Sequence, residues 1–383
     1  MALQAQSLAV RQLTLKDFRN YADLRLDVAS QAIVLTGENG AGKTNLLEAL
    51  SLLAPGRGLR MASFDELTRH GAQGGWAVAA KIMAAGSDIT LGTAYDGGPA
   101  DARSAPRRTM IDGIPRKSSG SLARYMRVLW LTPAMDRILS GPAGDRRRLL
   151  DRLATAMDPD HQARASNFDK LLRERNRLLV KGAHDPLWLA SLEHRMAEEA
   201  VALAAGRVAS IATLKTHLKP ESSPSFPWVN LTLDGDLERD LETTPAVQVE
   251  DRYRRMLSDS RTLDRAAGRT LKGPHRSDLN VVHGPKGLEA AACSTGEQKA
   301  MLIGMVLAHA KAMKNTIGGM LPVLLLDEVV AHLDLERRSG LFRELRDLGA
   351  QCWLTGTDRA LFGNMDDHTE FYAIKEGVLA PIG

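Results

Sequence analysis

A phosphate-binding loop motif constrains this chain more than any other feature. Residues 33–35 (IVL) form a short β-branched apolar run, which predicts a buried strand. Residues 37–44 follow as GENGAGKT, and residues 46–53 carry leucines at helical spacing. The glycines let successive backbone N–H groups turn toward phosphate oxygens, and the helix N-terminus adds a positive dipole. The sequence therefore predicts a nucleoside triphosphate site made by Gly37, Glu38, Asn39, Gly40, Ala41, Gly42, Lys43 and Thr44.

An acidic motif late in the chain supplies the second half of this predicted site. Residues 323–326 (VLLL) predict a buried strand that ends at Asp327 and Glu328. We predict that Lys43 reaches the β- and γ-phosphates and that Thr44 and Asp327 hold Mg²⁺. Glu328 is the predicted general base that polarises the attacking water. Lys43 and Glu328 are thus the predicted catalytic residues, with ATP and Mg²⁺ as cofactors.

A third motif, STGEQ at residues 294–298, matches the signature of ABC-type ATPases in its role. Small residues begin a helix there, and Ser294 and Glu297 have capping-box spacing. Such a turn offers backbone N–H groups to an anion. A single subunit does not close this kind of site on its own nucleotide, so the motif predicts a symmetric dimer with two ATP molecules between the protomers.

Composition and charge limit the class of protein. The chain has 383 residues, enough for two or three domains, and 44% apolar and 25% charged residues, as in ordinary soluble proteins. Two cysteines do not make a disulfide framework or a metal cluster. The absence of an apolar run of about 20 residues argues against a membrane span, so we expect a cytoplasmic protein. A net charge of +4 is permissive for nucleic acid.

The pattern of strands and helices predicts an α/β protein with a discontinuous nucleotide-binding domain. Strands are expected at residues 8–18, 24–28 and 128–131, with an antiparallel group at 76–83, 89–95 and 107–111. Residues 145–180 and 186–218 predict two long helices packed as a hairpin, followed by a short strand and a helix over 247–263. The expected domains are 1–140 (ATPase, N-terminal part), 141–265 (inserted, mainly helical) and 266–383 (ATPase, C-terminal part).

Taken together, these motifs resemble the RecF family of bacterial recombinational repair proteins, relatives of the SMC-type ATPases. The resemblance covers essentially the whole chain, and the order of the motifs and the size of the insertion match as well. The motifs are DFRNY (17–21), GENGAGKTNLLEAL (37–50), SGP…RRRLLD (140–151), GPHRSDL (273–279), STGEQK (294–299) and LLLDE…HLD (324–334).

The resemblance implies a P-loop ABC/SMC-type ATPase head, with a mixed sheet, helices and an antiparallel subdomain. An inserted α-helical second domain replaces the coiled-coil arms of the larger relatives. Family members are expected to bind double-stranded DNA and single/double-strand junctions when ATP drives homodimerisation. They hydrolyse ATP slowly, with stimulation by DNA, to release it. They act in repair of gapped DNA and replication restart with RecR and RecO partners that help load recombinase, at the nucleoid in the cytoplasm.

The resemblance also assigns individual residues. Arg19 and Asn20 in DFRNY correspond to contacts near the phosphates, and Ser294, Gly296 and Gln298 to the signature that acts in trans. Asp334 corresponds to a residue that faces the partner protomer, and it also predicts the N-cap of a helix. The chain departs from the family pattern in Ala134-Met135-Asp136, where an acidic pair is common, and at Thr295-Gly296, a position often held by Gly-Gly or Arg-Gly. Thr355-Gly356-Thr357-Asp358 has no switch histidine of the transporter kind, which fits the family.

Clustered cations predict the DNA-binding surface. The predicted contacts are Arg57 and Arg60 after the phosphate-loop helix, and Arg146, Arg147 and Arg148. Further cations at Arg173, Arg175 and Arg177, and between Arg252 and Arg276, extend these clusters. With no aromatic-rich stretch to stack bases, the composition favours duplex over single-stranded DNA and backbone contacts over sequence readout.

Three other functions fit part of the pattern. A nucleotide-binding subunit of a transporter explains the three ATPase motifs, but about 250 residues separate the phosphate loop from STGEQ. A P-loop metabolic kinase needs an acceptor pocket and has no use for STGEQ. A structural DNA-binding module with a vestigial nucleotide site is at odds with the presence of Lys43, Thr44, Asp327 and Glu328.

Overall fold

The computed structural model describes residues 8–84, 86–97, 107–182, 185–315, 320–363, 365 and 368–382, which form two compact units. The first unit is built from three separate segments, Met1–Asp136, Ser223–Phe226 and Lys299–Gly383. The second unit comprises Arg137–Ser222 and Pro227–Gln298. Among the described helices, none combines the length and the apolar character needed to cross a membrane.

The described residues form the following strands and helices. The strands are β1 (Ala9–Phe18), β2 (Tyr21–Asp27), β3 (Ala32–Thr36), β4 (Trp76–Ala84), β5 (Ser87–Tyr95), β6 (Arg108–Ile111), β7 (Ile114–Arg116), β8 (Val128–Leu131), β9 (Val229–Asp234), β10 (Asp278–His283), β11 (Leu288–Glu289), β12 (Val323–Leu326), β13 (Cys352–Gly356), β14 (Thr369–Lys375) and β15 (Val378–Ile382). The α-helices are α1 (Lys43–Ser51), α2 (Ala143–Met157), α3 (His161–Lys181), α4 (Pro186–Lys215), α5 (Asp236–Asp240), α6 (Ala246–Asp259), α7 (Arg261–Ala267), α8 (Thr295–Lys314) and α9 (Leu335–Leu348).

The core sheet of the first unit explains how distant motifs come together. Its strand order is β15-β14-β3-β13-β12-β8, and all neighbours are parallel except β14 and β15. β13 lies between β3, which leads into the phosphate loop, and β12, which leads into Asp327. Because the carboxyl ends of parallel strands meet at one edge of a sheet, the loops after these three strands share that edge.

A second sheet of the same unit is antiparallel, with the order β2-β1-β4-β5-β6-β7. It shares one apolar core with α1 and the core sheet, so the antiparallel group predicted from the sequence is part of the first unit. Phe18 and Trp76 meet edge to face within this core, with ring centroids 5.6 Å apart.

The second unit differs from the predicted insertion in its helices and its end. Residues 145–180 are not one helix: α2 ends at Met157 and α3 begins at His161, because Pro159 interrupts the backbone hydrogen bonds. The predicted helix over 247–263 is likewise divided into α6 and α7 at Ser260. The unit continues past residue 265 to Gln298, because β9 pairs along its length with β10.

Arg175 lies in the interior of the second unit and not on the basic surface predicted for it with Arg173 and Arg177. Its Nε is 3.0 Å from Glu193 Oε1, and its Nη1 is 2.7 Å from Asp264 Oδ2. The same guanidinium donates to the Leu257 carbonyl at 2.6 Å. Arg175 therefore neutralises two buried carboxylates and joins α3, α4 and α7.

We expect Arg175→Leu to destabilise the second unit by about 3–5 kcal/mol, because removing one partner of a buried ion pair leaves its carboxylates uncompensated. The free energy of unfolding in urea measures the loss. Arg177→Leu, an exposed change on the same helix, is the matched control and is expected to stay within about 0.5 kcal/mol. Equal stability of the two variants would contradict the role assigned to Arg175.

Candidate functional site

The phosphate loop connects β3 to α1, and two of its glycines are required by their surroundings. Gly37 has φ 149° and Gly42 has φ 116°, both in the region that favours glycine. A Cβ at Gly37 would meet the carbonyl of Ile374, and a Cβ at Gly42 would meet the side chain of Asn20. The loop is thus pressed against β14 on one side and against the β1–β2 turn on the other.

The rim of this loop is open, while its base is held by neighbouring side chains. Glu38, Asn39 and Gly40 are exposed. Asn20 Nδ2 donates to the carbonyl of Ala41 at 3.0 Å, so the structure places Asn20 against the loop, and its contact near the phosphates stays a prediction. The Tyr21 hydroxyl donates to the Gly42 carbonyl at 3.0 Å, and burial raises the pKa of this phenol.

The two predicted catalytic side chains meet. Lys43 is only 4% exposed, and its Nζ donates to the carbonyls of Gly37 at 2.7 Å and Glu38 at 3.1 Å. The same nitrogen lies 3.3 Å from Glu328 Oε1. The ammonium group is therefore held at the mouth of the loop, with the carboxylate of the predicted general base beside it.

The two predicted Mg²⁺ ligands also meet. Thr44 Oγ1 donates to Asp327 Oδ1 at 2.8 Å, although 283 positions separate them in the sequence. Asp327 is 4% exposed, and in the described part of the chain it forms no ion pair. A buried carboxylate beside a hydroxyl, without a cationic side chain, fits the hard oxygen ligands that Mg²⁺ prefers. Thr44 and Asp327 are thus the residues that would hold Mg²⁺.

Thr355, at the end of β13, is a site residue that sequence reasoning missed. Its buried hydroxyl donates to Asp327 Oδ1 at 2.8 Å and accepts from the backbone N–H of Glu328 at 2.9 Å. Glu328 has φ 50°, which for a non-glycine residue requires such support. The sequence shows Thr355-Gly356 after the apolar residues 352–354, but strand order is needed to place β13 beside β12.

Lys299 contacts the same acidic segment from the start of α8. It is 6% exposed, and its Nζ lies 3.6 Å from Asp136 Oδ2 and 3.5 Å from the backbone carbonyl of Glu328. Asp136 follows β8, in the loop where the sequence departs from the family pattern. The structure therefore gives Lys299 and Asp136 a position next to the backbone of the predicted general base.

Arg19 is placed differently from its predicted contact with phosphates. Its guanidinium donates to both oxygens of Glu48, at 2.8 Å and 3.0 Å, and to the Glu66 carbonyl at 2.9 Å. Arg60 donates to the same carboxylate at 3.1 Å and to Asn45 Oδ1 at 2.7 Å. Glu48, on α1, is fully buried, and Arg19 and Arg60 together neutralise its charge.

The signature motif begins α8 with the predicted capping box. Glu297 Oε2 accepts from the backbone N–H and the hydroxyl of Ser294, each at 2.9 Å. An ion pair with Lys286, and then these bonds from Ser294, lower the pKa of Glu297 to about 2. Gly296 is exposed, whereas Gln298 is buried and donates to the Cys293 carbonyl at 2.9 Å. The Gln298 side chain thus braces the motif from inside.

Asp334 is the N-cap of α9, as its position in the sequence predicts. Its side chain accepts from the backbone N–H of Arg337 at 2.8 Å. The carboxylate is 61% exposed, which is compatible with the contact to a partner protomer expected from the resemblance.

Among the predicted DNA contacts, Arg57, Arg60 and Arg148 are exposed, and the Arg60 guanidinium is paired with Glu48. Arg148 is paired with Asp145, one turn away on α2. Arg146 is only 16% exposed and binds Asp278 through Nε at 2.8 Å and Nη2 at 2.6 Å. Arg147 is half-buried and donates to the Ser277 carbonyl at 2.6 Å, and desolvation lowers its pKa. Arg146 and Arg147 thus connect α2 to the β10 region, which differs from their predicted surface role.

Comparison with known proteins decides the family. A family model described as an AAA domain matches residues 12–71. The DNA replication and repair protein RecF of Mesorhizobium japonicum is 47% identical over 374 residues, covering 97% of each chain. The protein of the same name from Rhizobium etli is 46% identical over 372 residues, covering 97% of this chain and 98% of that protein. This chain belongs to the RecF family.

Solved structures give the fold of this RecF-family protein. The recombination mediator protein RecF-ATPrS in the RecFOR pathway has a TM-score of 0.84 and 21% identity, and both chains are covered completely. The Smc head domain of Pyrococcus furiosus, bound to the C-terminal domain of ScpA, has a TM-score of 0.54 and 15% identity, covering 98% of this chain and 96% of that one. The family and the ABC/SMC-type fold predicted from the sequence are confirmed.

We expect Thr355→Val to weaken magnesium-dependent binding of a fluorescent ATP analogue to this RecF-family protein by about 10-fold or more. The change removes a hydrogen bond to a carboxylate and leaves the buried N–H of Glu328 without its acceptor, at a cost of roughly 1.5–3 kcal/mol. A titration with Mg²⁺ at fixed nucleotide measures the effect.

The matched control is Thr109→Val, the same change at a buried threonine whose hydroxyl has no hydrogen-bond partner in the described residues. It is expected to bind nucleotide as the unchanged protein does. If Thr355→Val shows the same Mg²⁺ dependence as Thr109→Val, Thr355 does not support the metal ligand.

Proposed function

We propose that this RecF-family protein is an ATP-dependent double-stranded DNA-binding protein of recombinational repair. It would act at gapped DNA and in replication restart. The observation that carries the proposal is the meeting of Lys43, Thr44, Asp327 and Glu328 at one edge of the core sheet. Its relatives in Mesorhizobium and Rhizobium are named DNA replication and repair proteins, which supports the cellular role.

The nucleotide chemistry follows from the positions of these side chains. Residues 37–44 bind the phosphates of ATP through backbone N–H groups and the Lys43 ammonium. Thr44 and Asp327 would hold Mg²⁺, which would neutralise charge on the phosphates. Glu328 orients a water molecule and accepts its proton as the water oxygen bonds to the γ-phosphorus and the bond to the leaving ADP oxygen breaks.

The contact between Lys43 and Glu328 links ATP binding to the release of the general base. Lys43 Nζ is held by two loop carbonyls and by Glu328. Incoming phosphates compete for this ammonium as stronger, doubly charged acceptors. Binding of ATP therefore releases the Glu328 carboxylate, which becomes free to accept a proton from water.

The signature motif acts across an ATP-dependent homodimer in this proposal. Ser294 and Gly296 of one protomer approach the γ-phosphate bound by the other, and Asp334 faces the partner protomer. In the structure the Glu297 carboxylate accepts from both the N–H and the hydroxyl of Ser294. A phosphate must displace this low-pKa carboxylate to reach Ser294, which supports slow hydrolysis. Closure on duplex DNA then accounts for stimulation by DNA.

The proposed partners come from the family. One solved relative is named a recombination mediator in the RecFOR pathway. We accordingly propose RecR and RecO proteins as partners, and single/double-strand junctions as well as duplex DNA as ligands. ATP hydrolysis would open the dimer and release the DNA. The proposed location is the nucleoid in the cytoplasm.

We expect Glu328→Gln to bind ATP, to lose at least about 100-fold in hydrolysis, and to accumulate as a dimer. The amide keeps the size of the side chain but does not accept the proton of the attacking water. Sedimentation with ATP, with ADP and without nucleotide measures the dimer, and phosphate release measures hydrolysis.

Two further variants complete this experiment. Glu336→Gln, an exposed amide substitution on α9, is the matched control and is expected to hydrolyse ATP normally. Lys43→Met is expected to be impaired already in ATP binding, before hydrolysis, because it loses the charge that holds the β- and γ-phosphates. A Glu328→Gln protein that binds ATP but remains monomeric at saturation would refute the ATP-driven dimer.

We expect the double variant Arg57→Ala/Arg148→Ala to weaken binding to duplex DNA about equally across sequences while ATP binding survives. Both side chains are exposed, as a contact with DNA phosphates requires, and each lost phosphate contact flattens the slope of log K against log salt by about 0.9. Fluorescence anisotropy with ATP or ADP, over a series of salt concentrations, measures both quantities.

The control for this charge removal is Arg343→Ala, an exposed arginine on α9 outside the predicted clusters. It is expected to leave DNA affinity and the salt slope nearly unchanged. Binding that is indifferent to salt, or equally tight with ADP, would argue against phosphate contacts coupled to the ATP-bound dimer.

A further inference from the structure

An open cavity of about 490 Å³ lies in the second unit between α6, α7 and the loop after α7. Its size falls within the roughly 300–1,000 Å³ of typical ligand pockets. Met256, Leu263 and Leu271 supply apolar surface to it. Leu263 is 66% exposed and Leu271 is 40% exposed, so two large aliphatic side chains of this wall face solvent. Exposed apolar surface of this kind marks interaction sites when it is grouped and edged by polar residues.

The edge of this cavity is basic. Arg252, Arg255 and Lys272 line it, against the single exposed carboxylate of Asp259. Asp264 also lines the cavity, but it is buried and its charge is neutralised by Arg175 at 2.7 Å. The lining therefore has an excess of positive charge next to an apolar surface.

The cations at this edge are only weakly engaged. Arg255 Nε donates to the backbone carbonyl of Asp251 at 3.2 Å, a contact within its own helix. Arg252 lies 3.7 Å from Asp240 Oδ2, with both side chains about half exposed. Ion pairs of this exposure contribute little, roughly 0–1 kcal/mol, so a ligand carboxylate can compete for them.

The wall formed by the loop after α7 is fixed in place. Leu271 N donates to Asp264 Oδ1 at 3.0 Å, and the Tyr253 hydroxyl donates to the Lys272 carbonyl at 3.2 Å. Thr270 is held by Asn176, whose Oδ1 accepts from its N–H at 2.8 Å. Leu271 and Lys272 are thus presented by an anchored backbone, and a ligand does not have to order this loop on binding.

We propose that this cavity, between α6, α7 and the loop after α7, is a docking site for an acidic segment of a partner protein. The segment carries a large apolar side chain that packs on Met256, Leu263 and Leu271, flanked by carboxylates that pair with Arg252, Arg255 and Lys272. A peptide of this kind satisfies both halves of the site. A DNA backbone would satisfy the cations but would leave the aliphatic wall uncovered, since phosphate contacts do not use apolar surface.

This site does not involve the ATPase residues, so its test is separate from that of the proposed function. The probe is a short fluorescein-labelled peptide in which a central Phe is flanked on both sides by Asp and Glu. Fluorescence anisotropy with the full-length protein, without nucleotide, measures binding. A second peptide with Ser in place of Phe, and a third with Lys in place of the acidic residues, test the apolar and the charged half separately.

Two substitutions in the cavity are compared with two matched changes on α6 that lie outside its lining. Arg255→Glu is paired with Arg254→Glu, and Leu263→Asp is paired with Val247→Asp, since Val247 is also exposed. We expect saturable binding of the acidic Phe peptide that weakens about 10-fold or more in Arg255→Glu and Leu263→Asp. The two control variants are expected to stay within about twofold, because their side chains do not line the site.

Unfolding in urea verifies that all four variants keep their structure, and the two cavity variants act through different halves of the site. Absence of saturable binding would overturn the proposal, as would equal binding of the Phe and Ser peptides. The proposal would also be overturned if Arg255→Glu reduced affinity for a duplex oligonucleotide while Leu263→Asp did not, because that pattern describes a phosphate-binding surface.

Discussion

The carboxylate of Asp327 is the point on which the nucleotide site depends. It is buried at the end of β12, and it accepts hydrogen bonds from Thr44 and Thr355 at 2.8 Å each. These two hydroxyls come from the phosphate-loop helix and from the strand between β3 and β12. Because a buried charge is costly unless it is hydrogen-bonded, this arrangement ties the three chain segments to one another. The order of strands in the core sheet is what makes the arrangement possible.

Much of the nucleotide site and of the core sheet could be predicted from the sequence, because the decisive sequence patterns are local. GENGAGKT between an apolar run and a leucine-rich helix, VLLL before Asp327, and the Ser294–Glu297 capping box each depend on spacing within a few residues. The N-cap at Asp334 follows from an equally local pattern, as do the strands predicted at 8–18, 24–28, 33–35, 76–83, 89–95, 107–111, 128–131 and 323–326. Thr355 was missed because its importance comes from the neighbouring strand, which no local pattern reveals.

The arginines whose positions in the structure differ from the predicted ones do so for one physical reason. Arg19, Arg146 and Arg175 were assigned to ligands or surfaces because a sequence displays their charge but not their partners. In the structure they bind Glu48, Asp278, and Glu193 with Asp264. Each carboxylate is distant in the sequence from its arginine, so only the tertiary fold brings the pair together. Charge clusters in a sequence therefore overstate the basic surface of a protein whose arginines pair with buried or partly buried acids.

Because some arginines pair with acids inside the second unit, its surface charge is carried by the other cations. Once Arg146 and Arg175 are engaged inside the second unit, its exposed positive charge is carried by residues such as Arg148, Arg252, Arg255 and Lys272. Arg175 also has a second effect, because it holds Asp264, which in turn anchors the N–H of Leu271. The same buried ion pair that stabilises the helices thus neutralises a carboxylate of the cavity and fixes its wall. A basic, apolar surface with a rigid backbone is suited to a flexible acidic segment, since only one partner then loses conformational freedom on binding.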